Sequence, residues 1–181
     1  MGCPGDGGKW VCDPHTSRSQ NEAKCIIYSI GSNNEFSFER AIHHFNPRCQ
    51  IYAFDGTLSS YPSEKHHFVN FFAWNFGSYD SKADRSFTLS TIMRRLGHEN
   101  ISILKVDCEG CELHSLGALG FPATKGAIQQ ILVEVHFDGR PDRVHNFSRF
   151  LNHGGYAIFS KEANMFKNGN AFEFSLLYVG N

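Results

Sequence analysis

The sequence predicts an α/β fold: a Rossmann-like, seven-stranded, mostly parallel sheet with helices on both faces and an antiparallel C-terminal β-hairpin. Three observations carry that expectation. Short β-branched runs alternate with segments of helical spacing, the connections are short, and two strand-like runs joined by a polar loop end the chain. The expected order is β-α-β-α-β-α-β-α-β-α-β-β, which requires right-handed crossovers between parallel strands. A chain of 181 residues is long enough for one such domain. Residues 25–181 are assigned to it, and the Gly-rich, polar residues 1–24 to an N-terminal arm or flap.

Ile26–Ile30 is apolar and ends at Gly31, as a buried strand should. Phe38, Ala41, Ile42 and Phe45 then fall on one helix face that Pro47 stops. Residues 50–54 and 68–73 read as the next strands. Leu89, Ile92, Met93 and Leu96 form a second helix face, with Ser86 or Thr88 available as N-cap and Gly97 as the C-terminal stop. A strand at 101–106, a short helix at about 110–119 and a strand at 128–135 follow. Pro141-Asp142 opens a helix whose apolar side carries Val144, Phe147 and Leu151. Runs at 156–160 and 172–179, joined by a loop holding Asn168-Gly169-Asn170, complete the pattern as an edge hairpin.

Composition removes several function classes. With 41% hydrophobic and 14% aromatic residues the chain is not intrinsically disordered. Lys plus Arg total 17 against 18 Asp plus Glu, a balance that argues against nucleic acid as an obligatory partner. No apolar run approaches the roughly 20 residues of a membrane helix. The first residues have neither the basic nor the apolar region of a signal peptide.

Four of the six cysteines precede residue 50, so a bridge there is compatible with the sequence, though spacing does not fix a pairing. Cys108-x-x-Cys111 offers two ligands where structural zinc takes four, and reads as two thiols at a strand end and a helix start. The pairs His43-His44 and His66-His67 have no partner at ligand spacing and read as surface or helix-face residues. Lys9-Trp10 fits either a flap closing over a ligand or an ordered arm.

In an open α/β sheet, ligands bind beyond the carboxyl ends of the strands. Four of the five parallel-strand ends carry an acidic residue: Glu35 after the first, Asp55 after the second, Asp107 with Glu109 after the fourth, Asp138 after the fifth. The third end carries Trp74-Asn75.

Tyr28 through Glu39, Tyr52-Ala53-Phe54-Asp55 and Ile103 through Glu112 resemble class I S-adenosylmethionine-dependent methyltransferases, in particular the FkbM-type group and the related methyltransferase-like domain family. The run Leu104-Lys105-Val106-Asp107-Cys108-Glu109-Gly110-Cys111-Glu112 matches the group's signature at every fixed place. Leu96-Gly97-His98 and Glu134-Val135-His136 fit the methyltransferase-like branch, and the likeness spans roughly residues 5–180.

The resemblance implies S-adenosyl-L-methionine as cofactor. Gly31, Ser32 and Asn33 would pack against its methionine part, Asp55 (with Gly56 beside it) would accept the ribose hydroxyls, and Ala73 and Trp74 would lie along the adenine. Asp107 would face the sulfonium. The commoner turn has an acidic residue in place of Ser29 and a glycine in place of Glu35. Glu35 is then either a helix cap or a contact for the cofactor's ammonium group.

Methyl transfer is an in-line displacement that depends mostly on alignment. An alcohol acceptor also needs a base, for which Asp107, Glu134 and His136 are the candidates. His136 is preferred, because an unperturbed imidazole titrates near neutral pH. A divalent cation held by Asp107, Glu134 and His136 is compatible with so oxygen-rich a site, but no metal is assigned. The expected activity is O-methylation of a small molecule or glycan. The alternatives are an inactive methyltransferase-fold binding module and a nicotinamide-dependent dehydrogenase, the latter opposed by the lack of G-x-G-x-x-G after the first strand.

Overall fold

The computed structural model describes residues 1–2, 8–12, 25–58, 66–117, 126–164 and 171–180. In chain order these form β1 (Ile26–Ile30), α1 (Ser37–Phe45), β2 (Gln50–Phe54), β3 (Val69–Phe72), β4 (Asn75–Phe76), β5 (Ser86–Phe87) and α2 (Leu89–Leu96). Then follow β6 (Ile101–Val106), α3 (Glu112–Gly117), β7 (Ile128–His136), α4 (Pro141–Gly154), β8 (Tyr156–Ala163) and β9 (Ala171–Tyr178). Seven strands make one sheet in the order β3-β2-β1-β6-β7-β9-β8. β1, β2, β3, β6 and β7 are parallel neighbours, and β9 runs antiparallel between β7 and β8. The order reverses between β1 and β6, so their carboxyl ends diverge into a crevice.

Both sheet faces are covered, which is why β1 is buried at every position rather than alternating. One face packs Tyr28, Leu104, Ile131 and Val133 beneath α2, α3 and α4, through Ile92, Leu116 and Phe147. The other packs Ile27, Ile51, Ile103 and Leu132 beneath Phe38 and Ile42 of α1. Helix α2 starts where Thr88 accepts from the Thr91 N–H and stops at Gly97, whose φ of 70° is left-handed.

The structure corrects the sequence reading in several places. Between β2 and β3 the described residues hold turns and no helix, and residues 59–65 of that connection lie outside the described set. β4 and β5 form a separate two-residue parallel ladder, too short to leave an alternation signal. Val144 is half exposed, whereas the expected Phe147 is buried together with Phe150; Arg143, beside Val144, donates to the His136 carbonyl oxygen at 2.6 Å. The edge strand of the terminal hairpin is β8, since β9 is inserted next to β7. Asn168-Gly169-Asn170 and the last residues expected of the helix at 110–119 lie outside the described residues. Disulfides join Cys25 to Cys49, at the entries of β1 and β2, and Cys108 to Cys111. The zinc option at the latter pair is closed.

Residues 8–12 lie against the α1 side of the sheet. The Cys12 backbone exchanges two hydrogen bonds with the Gln130 side-chain amide, at 2.9 and 2.7 Å. Lys9 is buried while Trp10 is exposed, so the arm anchors through its lysine.

Candidate cofactor and acceptor site

A cavity of about 440 Å³ opens at the carboxyl ends of β1, β2 and β6. Gly31, Ser32, Asn33, Glu35, Asp55, Gly56, Trp74 and Asp107 all line it. Ala73, expected along the adenine, is not among the lining residues, and its neighbours Asn75 and Phe76 are. Thr57, Lys105, Cys108, Glu109 and Cys111 complete much of the wall and were not singled out from sequence as cofactor contacts. For Thr57, Cys108, Glu109 and Cys111 only their place after β2 and β6 could have marked them, and Lys105 lies within β6 itself.

The turn after β1 is braced by its neighbours. Gly31 has φ +78°, and a Cβ there would stand 1.6 Å from the Asp107 carbonyl oxygen. Its role is therefore to let the ends of β1 and β6 close on one another. Gly56 is hemmed in likewise, since a Cβ would meet the Asn75 side chain at 2.0 Å. Asp55 ties two loops together: Oδ2 accepts from the Asn33 N–H at 2.7 Å, and Oδ1 from the Thr57 N–H and hydroxyl at 3.0 and 2.5 Å. A ribose hydroxyl would reach this carboxylate by replacing the Thr57 hydroxyl or the distant Ser32 hydroxyl, one O–H donor for another. Glu35 accepts from the Ser37 N–H and hydroxyl at 2.7 and 2.8 Å, which is the helix-capping alternative.

On the opposite wall Trp74 packs edge-on against Phe87 at 5.1 Å and tilted over Phe72 at 4.7 Å. The Arg95 guanidinium sits 5.5 Å from the Trp74 ring centre and 4.0 Å from that of Phe87.

Behind Asp107 lies a row of carboxylates. Glu134 on β7 is the register partner of Glu173 on β9, and Asp107 follows Val106, which pairs with Val133. The Lys9 ammonium bridges the row, donating to Asp107 at 3.2 Å and to Glu173 at 2.5 Å. Burial pulls the Lys9 pKa down, but the two carboxylates outweigh it and hold it above its ordinary value. Burial likewise pushes Asp107 up, yet Lys9 and Lys105 keep it below the usual carboxylate range. Glu173 is raised by its burial. Glu134, in the middle, is pushed up to about 7, first by burial and then by the neighbouring Asp107 carboxyl.

His136 closes the far end of the row. Its Nδ1 lies 2.9 Å from the buried Glu112 carboxylate, and Nε2 faces Glu109 at 3.3 Å and Glu134 at 3.7 Å. The hydrogen bond with Glu112 comes first among the causes that push its pKa up to about 9. That overturns the ground on which His136 was preferred as base: beside these carboxylates it holds its proton at neutral pH. His43 stacks on Phe68 at 4.4 Å and stands edge-on to His67 at 6.1 Å, in keeping with a helix-face role.

A reversed parallel sheet with an antiparallel β9, and one cavity at the switch point, define the Rossmann-like fold of class I methyltransferases. The profile of a methyltransferase-domain family matches residues 1–178, and the chain belongs to that family. The cofactor of the class is S-adenosyl-L-methionine, as the sequence implied; the FkbM-type subdivision is not part of the match. No curated protein sequence matches. Among solved structures, Methanococcus jannaschii fibrillarin, a pre-rRNA processing protein, is similar with a TM-score of 0.60 at 8% identity, over 96% of this chain and 72% of that one. M. capricolum TrmK, in complex with S-adenosylhomocysteine, gives 0.52 at 11% identity, over 86% of this chain and 62% of TrmK. A fibrillarin/Nop5p complex gives 0.52 at 10% identity, over 86% of this chain and 73% of that one. These likenesses establish the fold. Among the described residues no helix is long and apolar enough to cross a membrane.

Proposed function

We propose that the protein transfers a methyl group from S-adenosyl-L-methionine to a hydroxyl oxygen of a small molecule or glycan. The observation that carries this reading is the convergence of Gly31, Asp55 and Asp107 on one cavity large enough for the cofactor. The similar TrmK was solved with the demethylated cofactor. In this reading Gly31, Ser32, Asn33 and Glu35 meet the methionine end, Asp55 and Gly56 the ribose, and Trp74 the adenine. Asp107 faces the sulfonium, and Asp107, Glu134 and His136 frame the acceptor. The acceptor oxygen attacks the methyl carbon while the carbon–sulfur bond breaks with its electron pair left on sulfur, and the hydroxyl proton passes to Asp107, the ionised carboxylate among the candidate bases that lines the cavity.

Charge at the site supports this choice of acceptor class. Asp107, Glu109, Glu112, Glu134 and Glu173 crowd this end of the crevice, against the cations Lys9, Lys105 and His136. Once Glu134 is ionised, above about pH 7, the carboxylates outnumber the cations, a balance that disfavours a phosphodiester chain and tolerates a neutral polyol. The test is a melt with S-adenosylmethionine or S-adenosylhomocysteine in about hundredfold excess over Kd, where binding raises Tm by roughly 5–10 °C. Asp55→Asn should abolish most of the shift, and label from a methyl-labelled cofactor should appear on hydroxylated acceptors. Absence of any shift with either ligand overturns the proposal.

A further inference from the structure

We propose that Glu109, Glu134 and His136 bind a divalent metal cation at the acceptor end of the cavity, with Glu112 fixing the histidine for that purpose. Their ligating atoms, one carboxylate oxygen from each glutamate and one imidazole nitrogen, all lie within 4.8 Å of one another. The distances from His136 Nε2, 3.3 Å to Glu109 and 3.7 Å to Glu134, suit a shared ion. Donors about 2.1 Å from a metal stand roughly 3.0–3.4 Å apart, so only small side-chain adjustments are needed.

Two buried atoms point to a ligand independently of that clustering. His136 Nε2 and Glu134 Oε2 are shielded from solvent and have no hydrogen-bond partner. Leaving such atoms unsatisfied is unfavourable, and one cation would satisfy both. Every other polar atom of the pair is already engaged: Glu134 Oε1 accepts from Asn164 Nδ2 at 2.6 Å, and His136 Nδ1 is held by Glu112 at 2.9 Å. A buried carboxylate on the far nitrogen is the arrangement that orients a metal-binding imidazole, and the incoming ion takes the place of the proton on Nε2, which is released to solvent. The adjoining cluster of Asp107, Glu134 and Glu173 also has ligand spacing, but there the Lys9 ammonium already supplies the cation.

Glu109 ties the ion to the cavity. It lines the cofactor cavity and its side chain is 65% exposed, so the cation would sit between the cavity and the buried pair with positions left for an incoming ligand. Mixed imidazole and carboxylate donors suit Mn²⁺ or Zn²⁺ better than Ca²⁺. For its role, though not for the binding itself, this proposal rests on the methyltransferase reading. A hydroxyl bound to the cation becomes more acidic and loses its proton to water, and the resulting alkoxide takes the methyl group as the sulfonium becomes a neutral thioether.

The experiment titrates Mn²⁺ into the full chain and follows loss of the free-ion EPR signal, alongside the S-adenosylhomocysteine melt. One Mn²⁺ per chain is expected, with nitrogen coupling from an imidazole in the pulsed spectrum. Glu134→Gln and His136→Gln should each weaken binding at least tenfold, and His136→Gln should remove the nitrogen coupling. Glu109→Gln, at an exposed position, tests the site should the buried variants not fold. An undiminished free-ion signal, or affinities unchanged across the variants, overturns the site. Cofactor binding without Mn²⁺ binding removes this proposal alone. Mn²⁺ binding without cofactor binding supports the site and removes the methyltransferase reading.

Discussion

The Cβ that Gly31 lacks would stand 1.6 Å from the carbonyl oxygen of Asp107, so the glycine of the first turn and the aspartate of the signature run are packed backbone to backbone. Two hydrogen bonds seal the approach: the Gly31 N–H donates to the Phe54 oxygen at 2.9 Å, and the Asp107 N–H to the Ile30 oxygen at 3.0 Å. The cavity floor is therefore set by the backbone.

Gly31→Ala should push the ends of β1 and β6 apart, costing at least about 2 kcal/mol of stability and abolishing cofactor binding. Gly97→Ala is the control. It has a similar φ of +70° but nothing within 4 Å of the added methyl. Its cost should be backbone strain alone, about 1 kcal/mol. Urea unfolding of both variants measures the difference, and equal losses would mean that the close approach is not what Gly31 serves.

Lys9→Met should destabilise the fold by about 3 kcal/mol, because it takes from Asp107 and Glu173 the ammonium that pairs with both and leaves only Lys105 near them. Adding Glu173→Gln should recover part of that loss, since one stranded charge is then gone. Urea unfolding of the single and double variants checks this. A Lys9→Met protein as stable as the parent would show that the arm does not hold the acidic row together.

The sheet was legible in the sequence because its causes are local. Ile26–Ile30 is a continuous apolar run that ends at Gly31, and Thr88 and Gly97 cap α2 as their residue types predict. The converging strand ends were legible for the same reason: Gly31, Asp55 and Asp107 each sit where a strand stops. What escaped depends on partners remote in the chain. Lys9 reaches across 98 residues to Asp107 and 164 to Glu173, and no spacing rule links them. His136 looks like a base until Glu112, 24 residues earlier, is found against its Nδ1. Ala73 missed the cavity because β3 ends at Phe72, and the chain then turns to form β4 at Asn75.

The bridge between Cys25 and Cys49 closes a loop with a sequence separation of 24. By the loop-entropy argument it stabilises the fold by about 3 kcal/mol. Replacing both cysteines with alanine should lower the urea midpoint accordingly, and added reductant should then have a smaller effect than it has on the parent. Identical midpoints for parent and variant would leave the bridge without a part in stability.

Trp74 offers the most direct view of cofactor binding. Phe72, Phe87 and Arg95 fix its ring at the cavity wall, so an adenine stacked on it meets a surface already ordered. Loss of a stacking aromatic weakens base binding by about 1–3 kcal/mol, and Trp74→Ala should therefore bind S-adenosylhomocysteine about 5- to 150-fold more weakly. Trp74→Phe should keep part of the affinity, because a smaller ring still presents a face. The only other tryptophan, Trp10, is exposed, so Trp10→Phe leaves Trp74 as the sole indole reporter. Its emission should change as the ligand saturates the cavity, with the affinity given by the melt. Unaltered emission, together with undiminished affinity in Trp74→Ala, would place the adenine elsewhere in the cavity, against the loop around Asn75 and Gly56.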